Sequence, residues 1–83
     1  MNYVYVIKSL KDEELYIGST TDLKRRLREH NEGKSFSTSF RRPFELVYYE
    51  AFRSLEDARA RENALKLRGN SRKHLTNRIS RSL

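Results

Sequence analysis

Two short runs rich in β-branched and aromatic residues open the chain: Asn2 to Lys8 (NYVYVIK) and Glu14 to Gly18, with Leu15, Tyr16 and Ile17. Both compositions favour extended backbone. The polar link between them, Ser9 to Glu13, points to an antiparallel hairpin. A third run, Phe44 to Phe52, holds Leu46, Val47, Tyr48 and Tyr49 in succession and reads as a buried strand. Between the second and third strands the pattern changes to helical spacing. Asp22 to about Asn31 carries Leu23 and Leu27 at i, i+4, with Ser19, Thr20 and Thr21 ahead of it and Gly33 as a stop. Lys34 to Pro43 is a loop rich in Ser, Thr and Arg, with Phe36 and Phe40 inside it. Ser54 opens a second helix, with Asp57 at capping-box distance. That helix is expected to reach about Arg68 and to stop at Gly69. A weaker third helix is expected from Ser71 to Ser82, with Leu75 and Ile79 at i, i+4. The order is β-β-α-β-α-α. It predicts an α+β fold, a small three-stranded antiparallel or mixed sheet flanked by helices.

The 83 residues allow one domain, 1–83, that buries only ~60% of its unfolded surface. There is no cysteine, which excludes a disulfide framework, a cysteine zinc site and a thiol nucleophile. Two histidines, His30 and His74, are too few for a histidine-rich metal cage. No apolar run approaches the ~20 residues of a membrane span, and no signal-peptide pattern opens the chain. A soluble, cytoplasmic protein is the expectation. The net charge of +7 is the balance of a nucleic-acid-binding surface. After Glu62 there is no acid, only Lys66, Arg68, Arg72, Lys73, Arg78 and Arg81. With Asn70, Asn77 and several hydroxyls beside them, these cations suit contact with phosphates.

Several residues sit where packing alone would not put them. With Leu23 at zero on the first helix, His30 falls at about −20° and Arg26 at about −60°. Both therefore border the apolar stripe, on one edge. Arg26 is either a snorkelling side chain paired with Asp22 or Glu29, or a guanidinium aimed into a cleft for a phosphate. On the second helix, with Ala58 at zero, Glu62 falls at about +40°, between Leu55, Ala58 and Leu65. A carboxylate there is paired, protonated or bound to a metal. A second apolar face, Ala60, Ala64 and Leu67, suggests packing against the last helix. Tyr3 and Tyr5 share one face of the first strand, and Tyr16 on the second can come beside Tyr5. Strand tyrosines serve sheet packing more often than catalysis.

The segment from Tyr16 to Asn31 (YIGSTTDLKRRLREHN), together with Val4-Tyr5-Val6, resembles the GIY-YIG nuclease superfamily. It is most similar to the small stand-alone bacterial members, related to the N-terminal nuclease module of the excision-repair protein UvrC. The resemblance continues through Arg42 to Glu50, Arg61-Glu62 and Ser71 to Lys73, covering nearly the whole chain. It implies that Tyr5 and Tyr16 are the tyrosines of the two motifs and that Gly18 is the glycine where the chain leaves the strand. It implies that Arg26 holds the scissile phosphate, that His30 is a histidine used one turn later by some relatives, and that Glu62 is the sole acidic metal ligand. The first motif lacks its glycine, Ser19 stands where some relatives carry a lysine, and Asn70 and Asn77 both compete for a late asparagine position.

The activity so implied is hydrolysis of DNA phosphodiester bonds with one Mg²⁺ or Mn²⁺ on Glu62, in repair, recombination or processing. Arg26 would neutralise the phosphate, and Tyr5 or Tyr16 would activate the water, aided by the field of Arg26, His30 and the metal. The expected nucleic-acid contacts are Gly18, Ser19, Lys24, Ser37, Thr38, Arg41, Arg42, Arg72 and Lys73. Related enzymes often take sequence or lesion choice from appended domains, which these residues do not include. Recognition of DNA shape (branched, nicked, flap or single-stranded) is expected, with a partner protein as a further source of specificity. The alternative is a nucleic-acid-binding module with weak or no catalysis, acting with a partner.

Overall fold

Alternation along the first strand settles the architecture, because both of its faces are apolar. In the computed structural model, which describes residues 1–67 and 69–83, β1 (Asn2–Ser9) is the central strand of an antiparallel sheet. β2 (Leu15–Thr20) and β3 (Phe44–Phe52) flank it, in the order β2-β1-β3. Val4, Tyr5, Val6 and Ile7 are all at most 2% exposed, as a strand covered on both faces requires. The register places Tyr5 opposite Gly18 on β2 and Tyr49 on β3, and Ile7 opposite Tyr16. A register irregularity between Val6 and Ile7 interrupts the pairing with β3.

Each face builds its own core. On one, Tyr5, Ile7 and Phe44 pack with Tyr16, Leu46 and the Leu23–Leu27 stripe of α1 (Leu23–Asn31). On the other, Val4, Val6 and Ile17 pack with Ala58 and Leu65 of α2 (Leu55–Lys66), with Leu75 of α3 (Asn70–Arg78) and with Ile79. Two ties fix the helices. Asn31 at the end of α1 exchanges hydrogen bonds with the backbone N–H and C=O of Phe44. Arg61 of α2 pairs with Glu50 of β3 at 2.9 Å, and Tyr48 donates to the same carboxylate.

The predicted α+β order holds, and the sheet is wholly antiparallel. Boundaries shift for local reasons. β2 runs two residues beyond Gly18, because Ser19 and Thr20 stay paired with Val4 and Tyr3. Asp22 lies outside α1 as its N-cap, its carboxylate accepting from the Arg25 N–H. Ser54 caps α2 in the expected way, accepting from the Asp57 N–H. α2 ends at Lys66 and Gly69 caps the start of α3, so Gly69 begins a helix as well as following one. The expected extension of α2 to Arg68 lies outside the described residues. The long loop contains a single 3₁₀ turn, Ser39–Arg41. The second apolar face expected on α2 does not form as a buried seam: Leu67 is 70% exposed and Ala60 is exposed.

Candidate active site

The site is assembled at the free edge of β2, where α1 lies over one face of the sheet and α2 over the other. Gly18 is buried on that edge, opposite Tyr5, and a Cβ there would collide with the Tyr5 hydroxyl. The missing side chain lets the Tyr5 phenol pass over β2 toward α1. There its hydroxyl meets His30 Nε2 at 2.8 Å. His30 is 0% exposed, wedged between Tyr5, Tyr16 and Phe44 with ring centroids 5.8, 5.1 and 5.8 Å away. Its Nδ1 meets Thr38 Oγ1 at 2.8 Å, and the Thr38 hydroxyl also reaches the Ser35 carbonyl.

One proton pattern satisfies all of these contacts together. Thr38 gives its proton to the Ser35 carbonyl and so accepts from His30 Nδ1–H. Nε2 is then the bare nitrogen, and it accepts the proton of Tyr5. The result is an ordered chain from Tyr5 through His30 to Thr38. Burial pushes the Tyr5 phenol up to about 12, with Arg26 pulling the other way. Burial, reinforced by the nearby Arg26 charge, pulls His30 down to about 4, so the imidazole is neutral at physiological pH.

Arg26 borders the same pocket. Its guanidinium donates to Glu29 at 3.2 Å and to Ser35 Oγ at 3.3 Å, and its side chain stays 30% exposed. Burial disfavours its charge, but Tyr5 and Glu29 outweigh burial, and the group is firmly cationic. The pairing with Glu29 is the first of the two expectations for this residue, and the paired cation still faces solvent.

Glu62 approaches from the α2 side. Its carboxylate accepts from Ser19 Oγ at 2.7 Å and pairs with Lys66 Nζ at 2.7 Å. Its side chain is 16% exposed. Ala58 and Leu65 beside it are fully buried, whereas Leu55 is 47% exposed, so the apolar surround is narrower than helical spacing suggested. Burial works against the carboxylate, yet Lys66 and Ser19 hold its pKa below the ordinary glutamate value. A groove of about 210 Å³, lined by Ser19, Thr20, Thr21, Leu55, Ala58 and Arg59, runs beside this position.

Tyr5, Tyr16, Gly18, Arg26 and His30 are thus brought together, and Glu62 joins them across the β2 edge through Ser19. Other expected contacts fall elsewhere. Thr38 is 0% exposed, so it cannot touch a nucleic-acid strand; it orients His30 instead. Gly18 is likewise buried, and its part is to make room for Tyr5. Ser19 spends its hydroxyl on Glu62. Lys24 lines a separate cleft of about 510 Å³ with Tyr3, Leu27 and Tyr49. That cleft lies on the flank of α1 turned away from Arg26, the flank where Asn31 meets β3. Arg41 is paired with Asp12 at 2.8 Å and lies over the Phe44 ring. Arg42 is exposed and folds over Gly33, whose φ of +75° turns the chain out of α1. Arg72 and Lys73 start α3 and pair with no described carboxylate.

Three positioning roles were not read from the sequence. The Ser35 bond to Arg26 and the Thr38 bond to His30 depend on loop geometry that leaves no sequence signal. The Lys66 contact with Glu62 was detectable as an i, i+4 pair.

The sequence profile of the GIY-YIG catalytic domain matches residues 1–78. The chain belongs to the GIY-YIG family. Its relatives include a UPF0213 protein of Clostridium perfringens, 45% identical over 67 residues that make up 80% of this chain and 71% of that one. A UPF0213 protein of Haloquadratum walsbyi is 44% identical over 78% of this chain and 73% of its own length. The solution NMR structure of a UPF0213 protein from Bacillus halodurans shares the fold, with a TM-score of 0.57 and 38% identity. That match covers 95% of this chain and 85% of that one. GIY-YIG membership places the chain in a nuclease family, and its order of elements matches the NMR structure. Among the described residues, no helix is long and apolar enough to cross a membrane.

Proposed function

We propose that this GIY-YIG chain is a divalent-metal-dependent endonuclease that hydrolyses DNA phosphodiester bonds, selecting strand shape over base sequence. The observation that carries this reading is the Tyr5–His30–Thr38 hydrogen-bond chain, whose Tyr5 hydroxyl also bonds Arg26 and feels the charge of Glu62.

With a pKa of about 12, Tyr5 is a poor free base, so it serves best as a proton carrier. As a water oxygen bonds to phosphorus and the bond from phosphorus to the leaving oxygen breaks, the water's proton passes to Tyr5 Oη while the Tyr5 proton passes to His30 Nε2, and the leaving oxygen takes its proton from solvent. Nδ1–H stays on Thr38, which keeps the receiving nitrogen aimed at Tyr5. Burial, and with it the field of Arg26, opposes this transfer by keeping His30 neutral. A phosphate bound to Arg26 offsets that field, so His30 gains basicity when substrate is seated. The same guanidinium neutralises charge building on the phosphoryl oxygens. The hydrogen bond to His30 supports Tyr5 over Tyr16 as the tyrosine that takes the proton.

Among the described residues, no three His, Cys, Asp or Glu side chains cluster as a metal cage. A single carboxylate with open solvent beside it still fits a Mg²⁺ or Mn²⁺ that keeps several waters and takes a phosphate oxygen. Glu62 is the residue to hold it, with Lys66 displaced. The ion would stabilise the leaving oxygen and the charge of the transition state.

The ion pair between Glu62 and Lys66 also favours a second reading, a nucleic-acid-binding module in which the lysine already fills the metal's place. A cleavage assay separates the two. Labelled flap, nicked, branched and single-stranded DNA, with RNA counterparts, are incubated with Mg²⁺, Mn²⁺ or EDTA beside Glu62→Ala. Cleavage abolished by EDTA and by Glu62→Ala supports the nuclease. Tight, salt-sensitive binding with no cleavage supports the module and a partner protein.

A further inference from the structure

The loop between α1 and β3 presents two aromatic rings to solvent beside the site. Phe36 is 84% exposed and Phe40 71% exposed, with ring centroids 6.2 Å apart at 79°. Neither ring contributes to a core cluster. Such rings are costly to leave in water and raise the question of what covers them.

Three observations point to one occupant. First, the loop is wired into the site: Ser35, next to Phe36, holds Arg26, and Thr38, two residues before Phe40, holds His30. Anything seated on these rings lies next to whatever Arg26 binds. Second, the surroundings are cationic. From Gly33 to Phe44 the sequence has Lys34, Arg41 and Arg42. Lys34 pairs with Glu32 and Arg41 with Asp12, while Arg42 pairs with no described carboxylate and Lys11 adds a further positive charge beside Phe40. An anionic partner is favoured over a surface with this net positive charge. Third, the backbone under the rings is held. Lys11 Nζ donates to the Phe40 carbonyl at 3.1 Å, Ser9 Oγ donates to the Arg41 carbonyl, and Asn31 clamps Phe44 at the far end. A preset aromatic surface loses little freedom when a planar group lands on it.

We infer that Phe36 and Phe40 form a stacking platform for unpaired nucleobases next to the scissile phosphate. A π-face accepts any base, so the platform selects single-stranded character and not sequence. In duplex the bases are stacked on each other and unavailable to the rings. This rests on the reading of the chain as a DNA-cleaving enzyme, and it narrows the substrate to strands with unpaired bases at the cut, such as flaps and frayed junctions.

The test compares wild type with Phe36→Ala, Phe40→Ala and the double variant, each in a Glu62→Gln background for binding and in the active background for cleavage. Because both rings are exposed, folding and thermal midpoint are expected to be unchanged. The double variant should bind single-stranded and flap DNA at least about tenfold more weakly, with duplex affinity unchanged. The slope of log affinity against log salt should stay the same, because no phosphate contact is lost, whereas Arg42→Ala should flatten it. Quenching of 2-aminopurine placed beside the cut should fall in the double variant and return with Phe36→Tyr or Phe36→Trp. If the variants keep full preference for unpaired strands and full quenching, the platform is wrong while the nuclease reading stands. If wild type binds no nucleic acid, both fall.

Discussion

The α1 half of the site and the α2 half hold their polar groups differently. On the α1 side, Tyr5, His30 and Thr38 satisfy one another in a dry pocket, and Arg26 is braced by Glu29 and Ser35. On the α2 side, one carboxylate is held by a serine and by Lys66, whose own side chain is half exposed. The first half is preorganised without ligand, so its geometry is a property of the fold. The second half rearranges more readily, because only the i, i+4 pair with a half-exposed lysine must open.

The sharpest way to test that contrast is to remove one charge from each half. On the proposed mechanism, Glu62→Gln and Arg26→Gln should each lower cleavage by roughly 100- to 1,000-fold or more, the first by removing the carboxylate that would hold the metal and the second by removing a cation at the phosphate. Their effects on substrate affinity should differ. Arg26→Gln should weaken DNA binding in EDTA, and Glu62→Gln should not. Equal losses of metal-free affinity in the two variants would break the division of labour.

Stability should respond mainly to the α1 half. Gly18→Ala places a methyl group against the Tyr5 ring and hydroxyl, which the surrounding core prevents from yielding. A loss of about 1–3 kcal/mol is expected from such overpacking, with cleavage falling as Tyr5 is displaced from His30. Thr38→Val removes the acceptor of His30 Nδ1–H in a pocket closed to water. It should cost about 1–3 kcal/mol by leaving a buried donor unpaired. Thermal unfolding of both variants beside Leu55→Ala, an exposed position on α2, checks whether the dry half is the sensitive one.

How much of this was visible in the residues follows the same division. The β-β-α-β-α-α order was legible because strand composition and the Leu23–Leu27, Ala58–Leu65 and Leu75–Ile79 spacings are local signals. Arg26 and Glu62 stood out as charges beside apolar stripes, and both lie at the site. Thr38 and Gly18 were expected to contact nucleic acid, yet both are buried. No spacing rule says that a loop threonine will fold under a helix to meet a histidine eight residues earlier. Likewise, the room that Gly18 makes for Tyr5 depends on β1–β2 register, which is a pairing and not a local pattern. The second apolar face of α2 failed for a related reason: Ala60 and Leu67 have the right period, but α3 packs through Leu75 beside Leu65 and leaves them exposed.

Acid should expose the dry half without any mutation. His30 has a folded pKa of about 4 against an ordinary 6.5. Above pH 6.5 the ring is neutral in both states and adds no pH dependence. Between 6.5 and 4 the unfolded chain takes up a proton that the folded chain refuses, so stability declines as pH falls through that window. Below about 4 both states are protonated and this contribution levels off. Denaturant unfolding from pH 7 to pH 4 should show the decline, and His30→Gln should flatten it. A decline of the same size in His30→Gln would assign the effect to other groups.

The smallest stability effect is expected at Lys66, and there the contrast is sharpened most. Lys66 is half exposed, so Lys66→Met should change stability by no more than about 0.5 kcal/mol. Its consequence should appear on Glu62. Without the ammonium, the carboxylate loses a main influence holding its pKa down, and the position beside Ser19 becomes free. If the lysine stands where a cation binds in the working enzyme, Lys66→Met should reach half-maximal cleavage at a lower Mg²⁺ concentration than wild type. If the lysine instead replaces the metal, the variant should gain no metal dependence and should bind DNA more weakly. A titration of cleavage and of DNA binding against Mg²⁺ distinguishes these outcomes, because competition moves the midpoint and replacement does not.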